Sequence, residues 1–349
     1  MSRNVDIYDA GEETRYELVE EHEGGAEGRL WRAWQVGAGG RRLPVAVKVL
    51  TPERYFGALV DKEAVLTTWR EQAQVMRSFS HDGFVPVQVV FRVADPPGGA
   101  APEWMVGLPA FVTTWAAGAD LLEWSRGVDD VERRIDVLRR CAAGLDAFHR
   151  ETEHVHRDVK PENVVVVGER ARLVDYGLVR SFHQQRRLST LAGTAGYLAP
   201  ELEDGAPYTA ATDRYAFAAL IFHQLTLHHP PATRRGWQEQ GRTMLAAAGA
   251  DRVASPLLLA LHPDPQSRLH TDGVEDLLDR IAGGLRHAPV AVSPRPVSPS
   301  ARPRSVAEQD ARTGPPAGAS SSLKRAALLG AVAFVMTLLF VVLAVSLTS

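Results

Sequence analysis

His156, Arg157, Asp158, Val159, Lys160, Pro161, Glu162 and Asn163 run consecutively, and Asp175-Tyr176-Gly177 begins seventeen residues after Asp158. Two carboxylates, an ammonium group and an amide at this spacing suit one kind of chemistry. One acid orients a hydroxyl that attacks phosphorus. A second acid, with the amide oxygen, holds a divalent cation against phosphate oxygens. Asp158 is the candidate base, because an alcohol is a poor nucleophile until a carboxylate orients it and takes its proton. Lys160 can neutralise charge on the phosphoryl group in flight. Asn163 and Asp175 are the candidate metal ligands. A solvated loop accounts for any one of these residues, but not for the set in this order.

Elements to position them are legible in the pattern. Residues 43–50 are short and β-branched, which predicts a strand with Lys48 near its end. A helix is expected over 63–79, a strand over 111–115 with a turn at 116–119, and helices over 131–149 and 210–227. The last is apolar on every side, as the centre of a lobe would be. A β-rich first third followed by a helical remainder predicts an α+β protein in two lobes.

The loop 156–163 and the motif at 175–177 resemble the catalytic loop and metal motif of the eukaryotic-like (Hanks-type) serine/threonine protein kinase family. That resemblance implies the bilobal protein-kinase fold over residues 14–284, with a small β-rich N-lobe at about 14–114 and a larger helical C-lobe at about 117–284. It implies ATP with Mg²⁺ or Mn²⁺ as cofactors, and Ser/Thr of proteins as acceptors. Lys48, in Val45-Ala46-Val47-Lys48, matches the strand lysine that grips the α- and β-phosphates. Its helix partner in the family is a glutamate. Glu71 fits best, with Glu63 the other candidate and Gln72 in the alternative register. Gly25 and Gly28 match two of the three glycines of the phosphate-covering loop, and Glu23 stands where the first would be. This implies an imperfect lid. Leu30 and Ala46 would roof the adenine, Val165 would floor it, Thr113 would back the pocket, and Thr114 to Ala116 would form the hinge.

Other motifs extend the likeness. Asp-Tyr-Gly stands where the family usually has Asp-Phe-Gly, so Tyr176 carries a hydroxyl that needs a partner. Residues 191–201 resemble the end of the activation segment, where a peptide docks; this separates protein kinases from small-molecule phosphotransferases. Within it Thr194 would contact Asp158 and Lys160. Glu201 would pair with Arg268, and Asp213 would anchor the backbone around His156 and Arg157. Arg157 implies control by a phosphate on Ser189 or Thr190, which follow Arg186 and Arg187.

Composition limits the alternatives. The chain has 349 residues and a formal charge of -3, which gives no electrostatic support for nucleic-acid binding. Its one cysteine, Cys141, sits in an apolar helical pattern and is expected to be a small core residue. Residues 1–13 are expected to be a polar tail without a signal-peptide core. Residues 285–323 are rich in Pro, Ser, Ala and Arg and are expected to be a disordered tether. Ala326 to Leu347 is a run of 22 residues without a charge. At a helical rise it covers ~33 Å against a hydrocarbon layer of ~30 Å. We therefore expect a transmembrane helix with its basic flank over 324–347, and 348–349 as a short exterior tail with no outer sensor domain. Lys324, Arg325 and the upstream arginines put the N-terminal side in the cytoplasm. Small residues four apart (Ala326 and Gly330, Ala327 and Ala331) permit a homodimer through the span. High Ala and Arg usage and the minimal plan resemble bacterial members of the family. The expectation is a membrane-anchored serine/threonine protein kinase that phosphorylates itself in the activation loop. The rival is a kinase-shaped scaffold with weak or no turnover, which the incomplete glycine loop favours.

Overall fold

The computed structural model describes residues 5–22, 28–51, 62–97, 101–175, 180–181, 196–232 and 235–286. Contacts divide the chain into residues 1–290 and 291–349. The tether and the apolar run expected beyond it lie, from residue 287 on, outside the described residues. No helix among the described residues is long and apolar enough to cross a membrane.

The first lobe contains strands β1 (Val5–Asp9), β2 (Thr14–His22), β3 (Gly28–Val36) and β4 (Arg42–Leu50), helix α1 (Lys62–Ser78), and strands β5 (Val87–Ala94) and β6 (Pro109–Thr114). The strands close an antiparallel barrel in the order β1-β2-β3-β4-β6-β5. Alternation along β4 decides its two faces. Val45, Val47 and Val49 enter the barrel core with Ile7, Tyr16, Trp31, Ala33, Phe91 and Val112. Ala46 and Lys48 therefore point out of it. The tail expected over 1–13 is in part a strand. β1 pairs with β2 from Val5↔Leu18 to Asp9↔Thr14, and with β5 at Tyr8↔Ala94, which closes the barrel. Ile7 is fully buried between them.

The second lobe begins with β7 (Ala119–Asp120), α2 (Leu121–Arg126), α3 (Val131–Asp136) and α4 (Arg139–Thr152). Then come β8 (His154–Val155), β9 (Val164–Val167), β10 (Arg170–Leu173) and β11 (Arg180–Ser181). Helices α5 (Ala210–Thr226), α6 (Trp237–Ala247), α7 (Ala254–Ala260) and α8 (Val274–Arg286) complete it. The single helix expected over 131–149 is two helices. At Leu138 the ladder tightens to a three-residue step, its N–H donating to Ile135 O at 3.1 Å. The change of phase lets Ile135, Val137 and Leu138 all enter the core.

Helix α5 is the centre of this lobe, and Phe217 to Phe222 are all fully buried. Thr209 opens it with a capping box: its side chain accepts from Ala211 N, and Thr212 reaches back to the Thr209 N–H. Arg134 closes it, although only 6% exposed. Its guanidinium donates to Gln224 O at 2.7 Å and Leu225 O at 3.4 Å, and to Val128 O at 2.8 Å. A cation at a helix C-terminus satisfies carbonyls that the helix leaves open. Burial pulls its affinity for the proton down, and Asp129 and Asp130 nearby partly restore it. Cys141 is wholly buried as expected, its thiol pushed up to about 12 by desolvation, which makes it inert.

The expected ion pair between Glu201 and Arg268 is formed. Arg268 Nη1 donates to Glu201 Oε1 at 2.8 Å, and Nη2 meets Oε2. The guanidinium also lies 4.8 Å from the centre of the Tyr215 ring and donates to His262 O at 2.8 Å. With both side chains largely buried, removal of either partner would strand a charge at a cost of about 3–5 kcal/mol. The pair ties the segment after residue 196 to the chain before α8.

Candidate active site

Antiparallel pairing places side chains directly across from one another on a common face. Leu30 pairs with Lys48, and Lys48 pairs with Phe111; Ala46 pairs with Thr113. Leu30, Ala46, Lys48 and Thr113 therefore share the outer face of the barrel, as their expected roles around a nucleotide require. Thr114 and Ala116 follow in the crossing between the lobes, where Trp115 N donates to Pro44 O at 3.4 Å. Gly118 ends this crossing against β9, where a Cβ would lie 2.0 Å from Val166 O. On β9, Val164 and Val166 enter the helical core, and Val165 is half-buried on the opposite face. Gly28 begins β3 because a Cβ there would come within 2.4 Å of Val49 O. Gly25 lies outside the described residues, as do Glu23, Tyr176, Ser189, Thr190 and Thr194.

Opposite that face, the acids converge. Asp158 pairs with Lys160 at 2.8 Å, and Asp175 pairs with Lys48 across the lobes. Asn163 Nδ2 donates to Asp158 O at 2.8 Å and to Asp158 Oδ2 at 2.7 Å. These bonds orient the amide so that its oxygen is left for a cation. The Val174 N–H donates to Asn163 O at 2.9 Å, which ties the Asp175 loop to the Asp158 loop.

The backbone is held under strain at Asp175 and at Arg157, the residue before Asp158. Arg157 has φ 74° and Asp175 has φ 64°, in the left-handed region that costs a bulky residue of order 1–3 kcal/mol. Asp213, at the first turn of α5, supplies the restraint at Arg157. Its carboxylate accepts from His156 N at 2.7 Å, Arg157 N at 2.8 Å and His149 Nε2 at 2.8 Å. Burial alone would raise its pKa. The hydrogen bond and charge of His149 and the bond from the His156 backbone N–H outweigh burial and hold it below the usual carboxylate range. Burial also keeps His156 neutral, with its pKa lowered despite Asp213, Asp158 and Asp175 nearby. The Arg157 guanidinium stacks 3.8 Å from the centre of the Tyr208 ring. Below Asp158 a cavity is lined by Arg157, Val159, Tyr197, Leu198, Leu202 and Tyr208 among others.

One expectation needs correction. Glu71 is exposed on α1, and the residue turned inward is Gln72, only 4% exposed. Neighbours on a helix point about 100° apart, so the inward face of α1 (Gln72, Met76, then Phe79) leaves Glu71 outside. The described carboxylate on Lys48 is that of Asp175. Nothing is described of the Glu63 side chain. Sequence reasoning missed His149, which meets Asp213 from the end of α4, and Tyr208; neither belongs to a contiguous motif.

The donor set fits a magnesium nucleotide. Among the described residues no group of three or more His, Cys, Asp or Glu side chains forms a metal cage. Two carboxylates and an amide oxygen are what Mg²⁺ uses when substrate phosphates complete its octahedron. Two ammonium groups stand ready for the phosphates.

A barrel lobe facing a helical lobe, with lysines and acids meeting between them, is the architecture of a two-lobed phosphotransferase. Residues 40–278 match the protein kinase domain, more than half of the chain. The chain belongs to the protein kinase family. It is 30% identical over 171 residues to a probable serine/threonine-protein kinase, gdt4, of Dictyostelium discoideum, covering 44% of this chain and 10% of that one. It is 28% identical over 220 residues to the serine/threonine-protein kinase PknA of Corynebacterium glutamicum, covering 59% of this chain and 44% of that one. The chain thus spans less than half the length of these curated relatives. The kinase domain of Mycobacterium tuberculosis PknI has a similar fold, with TM-score 0.58 at 20% identity over 82% of this chain and 99% of that one.

The correction at Glu71 is testable in a phosphate-transfer assay. Glu71→Ala should leave the rate within about twofold, as exposed substitutions do. Lys48→Met should lower it by about 10²-fold or more, the cost of losing a group that stabilises transferring charge. A tenfold loss in Glu71→Ala would restore that residue to the site.

Proposed function

We propose that this chain is a serine/threonine protein kinase that moves the terminal phosphate of ATP, with Mg²⁺ or Mn²⁺, to hydroxyls of proteins. The observation that carries the proposal is the meeting of Lys160, Asp158 and Asn163 in one loop with Lys48 and Asp175 across the cleft. A bound magnesium nucleotide would supply the phosphoryl group and the charge that its own cation partly cancels. Asp158 orients the acceptor hydroxyl and takes its proton. Lys160, already beside Asp158, stabilises negative charge on the acceptor side. Lys48 holds phosphate oxygens, while Asp175 and Asn163 Oδ1 hold cations. The likeness of residues 191–201 to the peptide-docking end of the activation segment favours a polypeptide over a small alcohol. Autophosphorylation at Ser189 or Thr190 belongs to the same proposal, with Arg157 as the phosphate's partner.

The assay is incorporation of labelled phosphate into the full chain and into a Ser/Thr peptide library. Asp158→Asn should keep nucleotide affinity while transfer falls by about 10²–10⁴, the usual contribution of a positioned base. Undiminished transfer in that variant would remove Asp158 from the mechanism. Nucleotide binding without any transfer by the wild type would make the chain a scaffold.

We further propose that residues 326–347 anchor the kinase domain to the cytoplasmic face of a cell membrane. The support is the uncharged run of 22 residues behind a basic flank. On fractionation of expressing cells, the full chain should sediment with membranes and resist salt extraction, and a chain ending at residue 322 should not. Equal distribution of the two would overturn the anchor.

A further inference from the structure

Helix α1 turns an amide toward an apolar wall. Gln72 is 4% exposed, and neither its Oε1 nor its Nε2 has a hydrogen-bond partner among the described residues. A polar group buried in this way forfeits the hydrogen bonds that water would give it. Methionine would fill the same space without that cost, so the fold alone does not account for an amide here.

The surface beneath Gln72 follows from the core around it. Ala73 and Met76, the next residue and the one a turn further on, share a buried cluster with Leu50 of β4 and Phe111 of β6. Side chains alternate along a strand, so Leu50 and Lys48 lie on the same outer face of β4. Phe111 is the cross-strand partner of Lys48. Helix α1 therefore covers the patch of sheet in which Lys48 stands. On β5, Gln88 Nε2 donates to Thr114 Oγ1 at 3.2 Å and Arg92 is exposed, so both are placed elsewhere. The Lys48 side chain is 11% exposed, beside Asp175. Its ammonium carries three donors, and the Asp175 carboxylate accepts one of them. The resemblance to protein kinases implies a glutamate on this helix as the lysine's partner. Helical phase selects position 72 for that role, and there this chain carries a neutral amide.

We infer that Gln72 is a positioning residue for Lys48: with a magnesium nucleotide bound, Gln72 Oε1 accepts a hydrogen bond from the Lys48 ammonium and aims it at the phosphates. The helix side of this bond is uncharged, so it orients the lysine without neutralising it. Gln72 touches neither the nucleotide nor the acceptor hydroxyl. The inference rests on the kinase reading above and deepens it at the phosphate-binding lysine.

The test uses the full chain and two measurements on each variant: thermal unfolding without nucleotide, and calorimetric titration with ATP in excess Mg²⁺. Gln72→Met keeps the bulk of the side chain and deletes the amide. It should unfold at or above the wild-type temperature, because the fold loses no hydrogen bond. Its ATP dissociation constant should nonetheless rise about tenfold, the effect of losing one hydrogen bond to a charged group. Gln72→Glu puts an acceptor oxygen back and should return the constant to within about threefold of wild type. In a transfer assay Gln72→Met should raise the ATP KM and leave the peptide KM within about twofold. Unchanged ATP binding in Gln72→Met overturns the inference. So does unfolding well below the wild-type temperature, which would show that the amide already serves the fold. Equal weakening in Gln72→Met and Gln72→Glu overturns it too, since an acceptor oxygen would then make no difference. A wild type that binds no ATP with Mg²⁺ overturns the kinase reading itself and takes this inference with it.

Discussion

The catalytic loop depends on one buried carboxylate. Asp213 accepts hydrogen bonds from two successive backbone N–H groups, at His156 and Arg157, and from the His149 imidazole. Without those bonds the left-handed backbone at Arg157 would have no reason to persist, because a residue with a long side chain avoids it. With them, the loop turns so that Asp158 and Lys160 face the cleft while His156 stays buried behind. The anchor in turn needs α5, whose capping box at Thr209 and closure by Arg134 hold a helix that is buried on nearly every side. Stability in the second lobe and geometry at the site are thus the same set of contacts.

The ion pairs at the site have a different character from those that hold the fold. Glu201 and Arg268 are matched in two parallel contacts, with further bonds to backbone oxygens, so the pair has a single arrangement. Lys48 with Asp175 and Lys160 with Asp158 are pairs that can exchange partners. A lysine ammonium is a mobile point charge that can leave a carboxylate for a phosphate oxygen. The carboxylate released in this way is the ligand a cation needs. Partner exchange is how the same four side chains can be charge-balanced before and after a magnesium nucleotide arrives.

Much of this was legible because the chemistry is local. Asp158, Lys160 and Asn163 lie within six residues, and Asp175 is one short hairpin away, β9 to β10, so spacing alone brings them together. The strand under Lys48 and the helix at the centre of the second lobe were legible from alternation and from unbroken apolarity. What was missed depends on distant pairing or on phase. β1 is a strand only because β2 and β5 complete it, and β5 is some eighty residues away. Glu71 and Gln72 differ by one step of helical phase, and counting back from His81 left the register open. The break at Leu138 is invisible where apolar residues continue through it. His149 and Asp213 meet only after the chain has folded around α5, and no motif joins them.

The central claim is that two loops and one strand gather these charges to bind a nucleotide through its cation. Calorimetric titration of the full chain with ATP, in the presence and absence of Mg²⁺, tests it most directly. The account predicts saturable one-to-one binding that strengthens at least about tenfold when Mg²⁺ is added, because Asp175 and Asn163 have no partner on the phosphates without it. Binding of equal strength without the cation, or no binding with it, would contradict the account.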